Sequence, residues 1–293
     1  MDCFVRLPSV GCLANDGPER LNGMRKLARQ TAKIVPILIL AYFFPKLVLF
    51  YVACGVYDVS RNSAWTPELI EKYFLGNGLL VWLLSPVNTL LDLLSLPYLN
   101  KGVYKLEDLP SGHQREIATL IEVTRKQDLV TQLQQAAAAE TRSMFFFKWY
   151  GTNVETVACI PEFHRDYKYI MTIGVSVFNR RQSTSKHFGP LRATLRVLYN
   201  IDDVVDDSAY IVVGNTASYW CENKLFIFDD TLFHQSFNET DRPRSCLFVD
   251  IVRPTPIPVV LKAFVRAVGK LMSQGSNKVF YGHWKVFKNP TAT

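Results

Sequence analysis

Six cysteines are spread over the 293 residues, at Cys3, Cys12, Cys54, Cys159, Cys221 and Cys246, and no two of them have CxxC spacing. That pattern argues against a zinc ribbon, a redox dithiol and a disulfide-stapled scaffold, and reduced thiols are expected. The formal charge of +7 comes without a helix-turn-helix, zinc-finger or RNA-stacking signature, so nucleic acid is not an expected partner. No tetratricopeptide-like repeat is present. Histidine is scarce as well, with five in the chain.

What is abundant is apolar surface. Hydrophobic residues make up 48% of the chain and aromatics 13%, and the excess falls in the first hundred positions. Ile34–Tyr57 reads IVPILILAYFFPKLVLFYVACGVY, about long enough to cross a hydrocarbon core of roughly 30 Å as a helix. It begins too far into the chain, and runs too long, for an ordinary cleaved signal peptide. Pro45 and Lys46 interrupt it; a charge near the bilayer centre costs about 2.5 to 3.5 kcal/mol unless it snorkels.

A second stretch, Tyr73–Leu99, is broken by Asn77, Pro86, Asn88 and Asp92 and reads as a second crossing or as an interfacial amphipathic helix. Arg20, Arg25, Lys26, Arg29 and Lys33 precede the first run and Lys101 and Lys105 follow the second, a distribution that favours a hairpin with both flanks cytoplasmic. A single span, or two buried helices of a soluble core, are the other readings. The expectation is an integral membrane protein in contact with the lipid bilayer, its folded domain on the cytoplasmic side.

Beyond the apolar third the texture changes twice. Residues 105–141 carry apolar positions at helical spacing, and from YKYIMTIGVSVFN onward short β-branched and aromatic runs recur every eight to twelve residues between polar turns. That cadence suits a sandwich or barrel better than alternating β-α units. The expected organisation is a basic tail over 1–33, a membrane anchor over 34–100 (one span or a hairpin), and a helical linker over 101–143. A mainly β, double-stranded β-helix (jelly-roll) barrel with flanking helices follows over 144–256, and a basic helix and tail over 257–293.

Three residues carry the chemistry. His187 opens KHFGPLRATLR, His234 closes FIFDDTLFH, and Arg244 heads the apolar run RSCLFVDIV. Two imidazoles at the edges of strands can share one metal, and a guanidinium in the same cavity can clamp an acid, an arrangement that suggests a non-haem iron oxygenase. The usual site adds a carboxylate two positions after the first histidine; here that position is Gly189. Asp229 and Asp230 precede a turn and are expected to fix it rather than to bind metal. His113 reads as a surface or capping residue, and Arg196 could simply pair with Asp202 or Asp203.

The segment from Phe145 to Pro254 resembles the aspartyl/asparaginyl β-hydroxylase family of iron(II) and 2-oxoglutarate dioxygenases, which includes protein β-hydroxylases and membrane-bound lipid A acyl-chain hydroxylases. The likeness rests on FKWYG, HFGPLRATLRVLYNI, FIFDDTLFHQSFNETDRPR and FVDIVRP taken together. Protein-hydroxylating members also carry His-x-Gly-Pro and lack the carboxylate ligand. The resemblance therefore implies His187 and His234 as the only protein ligands of Fe(II). It implies Arg244 and Ser176 on the distal carboxylate of the cosubstrate 2-oxoglutarate, and Arg196 as a further cavity arginine for cosubstrate or an acidic substrate group. Leu198 stands where the protein hydroxylases have another polar contact. The implied substrate is a protein Asp/Asn side chain by motif, or a lipid acyl chain by the apolar layout. A non-catalytic membrane-anchored scaffold is the alternative.

Overall fold

The computed structural model describes residues 31–126, 129–274 and 285–287. Its helices are α1 (Thr31–Phe43), α2 (Pro45–Ser60), α3 (Pro67–Phe74), α4 (Leu79–Leu94), α5 (Ser111–Lys126), α6 (Leu129–Ala137) and α7 (Pro258–Gln274). Its strands are β1 (Val103–Tyr104), β2 (Arg142–Trp149), β3 (Thr152–Asn153), β4 (Ile170–Phe178), β5 (Gln182–Ser183), β6 (Thr194–Asn200), β7 (Ala209–Val213), β8 (Thr216–Tyr219), β9 (Leu225–Phe228), β10 (His234–Asn238), β11 (Arg244–Val252) and β12 (Lys285–Phe287).

Eight strands, β4 to β11, form two facing sheets. The larger sheet contains the order β9-β6-β11-β4 and the smaller is β5-β10-β7-β8, so the chain repeatedly passes from one sheet to the other. Eight antiparallel strands in two interleaved sheets make a jelly roll. β1, β2, β3 and β12 widen the larger sheet, with β12 parallel to β2. The β7–β8 hairpin turns over Gly214 and Asn215; Gly214 has φ +55°, a conformation that glycine adopts without steric cost.

Side-chain alternation assigns each face of the larger sheet. Val175 and Val177 of β4, Leu195 and Val197 of β6, and Leu247 and Val249 of β11 join Ile117, Leu120, Leu133 and Ala137 of α5 and α6 in one apolar cluster. The intervening residues face the barrel interior, where Met144, Phe146, Leu198, Cys246 and Phe248 meet Trp220 and Phe226. Covered on both faces, β4 and β11 are buried at every position and read as nearly continuous apolar runs. The alternation leaves Ser176, Arg196 and Arg244 on the inner face.

The described residues fall into two compact units, one up to Phe50 and the other from Tyr51 onward. Three aspartates and three arginines join the helices after Tyr51 to the barrel. Arg192, fully buried, binds Asp58 of α2 and Asp92 of α4; Arg253 also binds Asp92; and Arg61 binds Asp229 at 2.6 Å. Asn88 of α4 accepts from Arg192 N at 2.9 Å and donates to Pro190 O at 3.2 Å. The polar residues that interrupt the second apolar stretch are thus the contacts by which α4 grips the barrel.

The expected membrane-crossing helices need correction. Among the described residues no single helix is long and apolar enough to cross a membrane, and α3 with α4 reaches the required composition only as a pair bent by 84°. The 1–33 tail lies outside the described residues except for 31–33, as does most of 275–293. His113 is corrected as well. It is buried at 4% exposure, its Nε2 lies 2.9 Å from Val252 O, and its ring stacks on Tyr169 at 3.8 Å.

Candidate active site

His187 and His234 face each other across the smaller sheet. His187 N donates to His234 O and His234 N donates to His187 O, both at 3.0 Å, forming an isolated antiparallel bridge beyond the β5–β10 pairing. Directly opposed residues in an antiparallel ladder send their side chains to the same face. The two rings accordingly approach to 4.2 Å between centroids, at 52°.

The ring nitrogens are sorted by their partners. His187 Nδ1 lies 2.8 Å from Ser185 O and His234 Nδ1 lies 2.8 Å from Leu232 O. A carbonyl oxygen only accepts, so each Nδ1 is the protonated donor and each Nε2 keeps its lone pair, the tautomer a metal ligand needs. Burial holds both imidazoles below the ordinary histidine pKa. For His234 the neighbouring His187 adds to the effect, whereas Asp230 partly opposes it at His187. Both rings are therefore neutral at neutral pH, and this donor set fits a divalent transition metal such as Fe(II).

Position 189 shows how the site manages without the usual third residue. A β-carbon on Gly189 would stand 1.8 Å from Asp230 Oδ2, so the Asp230 carboxylate occupies the volume a side chain there would need. Gly189 N donates to Asp230 O at 2.7 Å, which holds the two segments together. Asp230 Oδ1 lies 3.4 Å from His234 Nε2 and accepts from Arg196 Nη1 at 2.7 Å. Among the described residues no group of three His, Cys, Asp or Glu is arranged to hold a metal; the Asp230 carboxylate lies beside the pair of imidazoles. Asp229 is fully buried on Arg61, Asn100 and the Thr231 amide, a turn-fixing role as expected.

Arg244, at the start of β11, is 2% exposed. Its Nη2 donates to Ser236 Oγ at 3.1 Å and its guanidinium lies over the Phe178 ring at 4.6 Å, while Nε is buried without a hydrogen-bond partner. Among the described residues no carboxylate forms an ion pair with it. Burial lowers its pKa, yet guanidinium keeps its proton in proteins, so the cavity holds a cation ready for an anion. Ser176 lies opposite Cys246 in the β4–β11 register and donates to Cys246 O at 3.3 Å.

Arg196 has partners other than those expected. Nη1 binds Asp230 and Nε binds Asp250, each at 2.7 Å, and the guanidinium stacks over Phe248 at 4.0 Å. Neither Asp202 nor Asp203 takes part in these pairs. With two carboxylates already on it, Arg196 is placed to orient Asp230 rather than to receive a third acid.

One cavity of about 60 Å³ is lined by His187, His234, Ser176, Arg196 and Arg244 together. Sequence reasoning missed Ser236, which also lines it and touches Arg244. The period of two along β10 from His234 to Ser236 is the signal that would have found it.

A jelly roll that brings two histidines and a buried arginine into one cavity can hold a divalent metal and an anion side by side. The model of the family described as Aspartyl/Asparaginyl beta-hydroxylase matches residues 114–254, the stretch that holds both histidines and Arg244. The chain is 31% identical over 137 residues to the ornithine lipid ester-linked acyl 2-hydroxylase of Rhizobium tropici, covering 45% of this chain and 49% of that protein. It is 29% identical over 83 residues to aspartate beta-hydroxylase domain-containing protein 2 of Rattus norvegicus, covering 27% of this chain and 24% of the relative. The chain thus spans about half the length of the first relative and about a quarter of the second. A crystal structure of a cupin superfamily protein from Desulfitobacterium hafniense superimposes with a TM-score of 0.23 at 9% identity, over 33% of this chain and 73% of that one, too slight a likeness to add to the topology.

Proposed function

We propose that this chain is a membrane-associated, Fe(II)- and 2-oxoglutarate-dependent hydroxylase acting on an unactivated carbon. The observation that carries the reading is Arg244: a buried guanidinium, unpaired with any carboxylate among the described residues, lining the cavity into which two neutral imidazoles point. Leaving such a charge unpaired costs several kcal/mol, a cost that a dicarboxylate cosubstrate would offset.

In this reading His187 and His234 hold iron(II) through Nε2. The Ser185 and Leu232 carbonyls fix the rings, and Arg244 with Ser176 anchors the far carboxylate of 2-oxoglutarate. When bound, iron and 2-oxoglutarate would supply the oxidation: one atom of dioxygen goes into an unactivated C–H bond and the other into the succinate left as the keto acid loses carbon dioxide. The protein contributes position and dryness. Phe178, Phe228 and Phe248 line the cavity and exclude water, and Arg196 holds Asp230 against the metal side of His234.

Of the two substrates, the acyl chain of a lipid is the one supported by the apolar helices locked to the barrel and by the printed activity of the bacterial relative. A protein Asp or Asn side chain is the second reading, supported by His-Phe-Gly-Pro at 187–190. The test is incubation with Fe(II), 2-oxoglutarate and either lipid extract or Asp/Asn-containing peptides, followed by mass spectrometry for a gain of one oxygen. A lipid product retires the peptide reading. A protein whose melting temperature responds to neither metal nor 2-oxoglutarate is a scaffold, and the proposal fails.

A further inference from the structure

α4 is amphipathic in the reverse of the usual sense. The face it turns to the protein carries Ser85 and Asn88, both fully buried, beside Val81, Trp82 and Leu91. Outward point Leu80, Leu83, Val87, Leu90 and Leu94, spaced three or four apart and 36% to 54% exposed. Leu96 and Leu99 continue this apolar surface past the helix end, at 48% and 74% exposure. A surface helix of a water-soluble domain has the opposite arrangement, and an exposed apolar row of this length marks an interaction site.

α7 lies alongside. Its Leu261 and Val265 share one apolar cluster with Leu91 of α4, and Thr255 Oγ1, just ahead of α7, donates to Leu94 O at 3.4 Å. The first turn of α7 exposes Val259 at 76% and Val260 at 61%. Farther along the same helix an open groove of about 530 Å³ is lined by Lys168, Lys262, Arg266 and Lys270. At this groove Asp166, 83% exposed, lies 3.4 Å from Lys262 and 3.6 Å from Arg266, and Lys168 and Lys270 complete a cationic lining.

An aliphatic row rimmed by cations has the chemistry of a bilayer interface. The hydrocarbon boundary accepts apolar side chains without requiring a matching shape, and headgroup phosphates lie at the level of the rim. A protein partner would need polar atoms to set its register, and the outward row of α4 has none. We propose that the α4–α7 face docks the folded domain onto a leaflet containing anionic phospholipid: the α4 leucines with Val259 and Val260 enter the headgroup boundary, and the Lys168–Lys262–Arg266–Lys270 groove binds the lipid phosphates. Docking needs neither metal nor cosubstrate, so it stands or falls apart from the hydroxylase reading.

The experiment uses the full chain with Cys3, Cys12, Cys159 and Cys221 changed to serine. A polarity-sensitive fluorophore is attached at Leu93→Cys, at Val259→Cys or, as a control, at Val205→Cys, a barrel position 92% exposed. With vesicles of equal parts phosphatidylcholine and phosphatidylglycerol, the labels at 93 and 259 shift to the blue and are quenched by a lipid-borne quencher, whereas the label at 205 does neither. Vesicle-bound protein in which all three labels behave alike overturns the proposal, as does a failure to bind vesicles at all. Arg266→Glu with Lys270→Glu leaves the melting temperature unchanged and lowers the preference of the Val259 signal for anionic over neutral vesicles by about tenfold or more. A preference that survives this double change removes the groove from the docking surface.

Discussion

The carboxylate of Asp230 fills the space that a side chain at Gly189 would occupy, with Oδ2 only 1.8 Å from where the β-carbon would stand. Arg196 pins that carboxylate from the other side at 2.7 Å, so it cannot simply swing away. Gly189→Ala should therefore destabilise the fold by about 1 to 3 kcal/mol, the usual cost of overpacking a filled site. Adding Asp230→Gly should recover most of the loss in thermal unfolding. A Gly189→Ala protein as stable as the parent would show that the two positions do not compete.

Arg244→Leu removes the cavity's unpaired cation. Loss of a charge-assisted, two-pronged contact should weaken 2-oxoglutarate by about 100-fold or more, read as the disappearance of cosubstrate protection against thermal unfolding. The variant itself should be no less stable than the parent without cosubstrate, since a buried charge lacking an ion pair has been replaced by an apolar group.

The two imidazoles should act as a unit toward metal. His187→Ala or His234→Ala should each abolish stoichiometric binding of Fe(II), or of a spectroscopically visible substitute such as Co(II), in anaerobic titration, because one remaining imidazole is a weak monodentate ligand. Retention of near-parental affinity by either variant would move the metal elsewhere.

His113 gives the fold a pH dependence of known sign. Its pKa is lowered from 6.5 to about 4 because burial disfavours the imidazolium. Below pH 6.5 the unfolded chain binds a proton that the folded chain rejects, so stability present above 6.5 drains away as pH falls toward 4, by up to about 3 kcal/mol. Urea midpoints measured at pH 7.5 and pH 5 should differ less for His113→Gln than for the parent.

Arg192→Met should leave Asp58 and Asp92 without their shared partner in a buried setting, at a cost of about 3 to 5 kcal/mol. Hydrogen exchange in α4 should accelerate more than in β4 or β11, because this network is what ties α4 to the barrel. Equal acceleration everywhere would mean that the network stabilises only the barrel.

Much of the site could be read in the sequence, because strand period and motif order act over short range. His187, His234 and Arg244 stood out at the edges of β-rich runs, Ser176 came from the family resemblance, and the structure lines one cavity with all of them. The partners of Arg196 were not identifiable. Asp250 sits across from it in the β6–β11 register and Asp230 lies on a separate loop, whereas Asp202 and Asp203 were merely closer along the chain. The apolar third misled for a related reason. Composition identifies a helix that prefers hydrocarbon, but it does not show that Asn88 and Asp92 turn inward onto Arg192.

The sequence alone determined the cadence of a jelly roll, the two imidazoles and the arginine of its cavity, and a leading segment too apolar for an ordinary soluble surface, since periodicity and transfer free energy depend on neighbours a few residues away. Only the tertiary structure decided which carboxylate fills the space beside the two imidazoles and which charges are joined in ion pairs. It also decided that the helices from Tyr51 onward belong with the barrel. Each of these depends on groups up to a hundred or more residues apart meeting in a low-dielectric interior, where an ion pair forms or fails on contact geometry that no local pattern encodes.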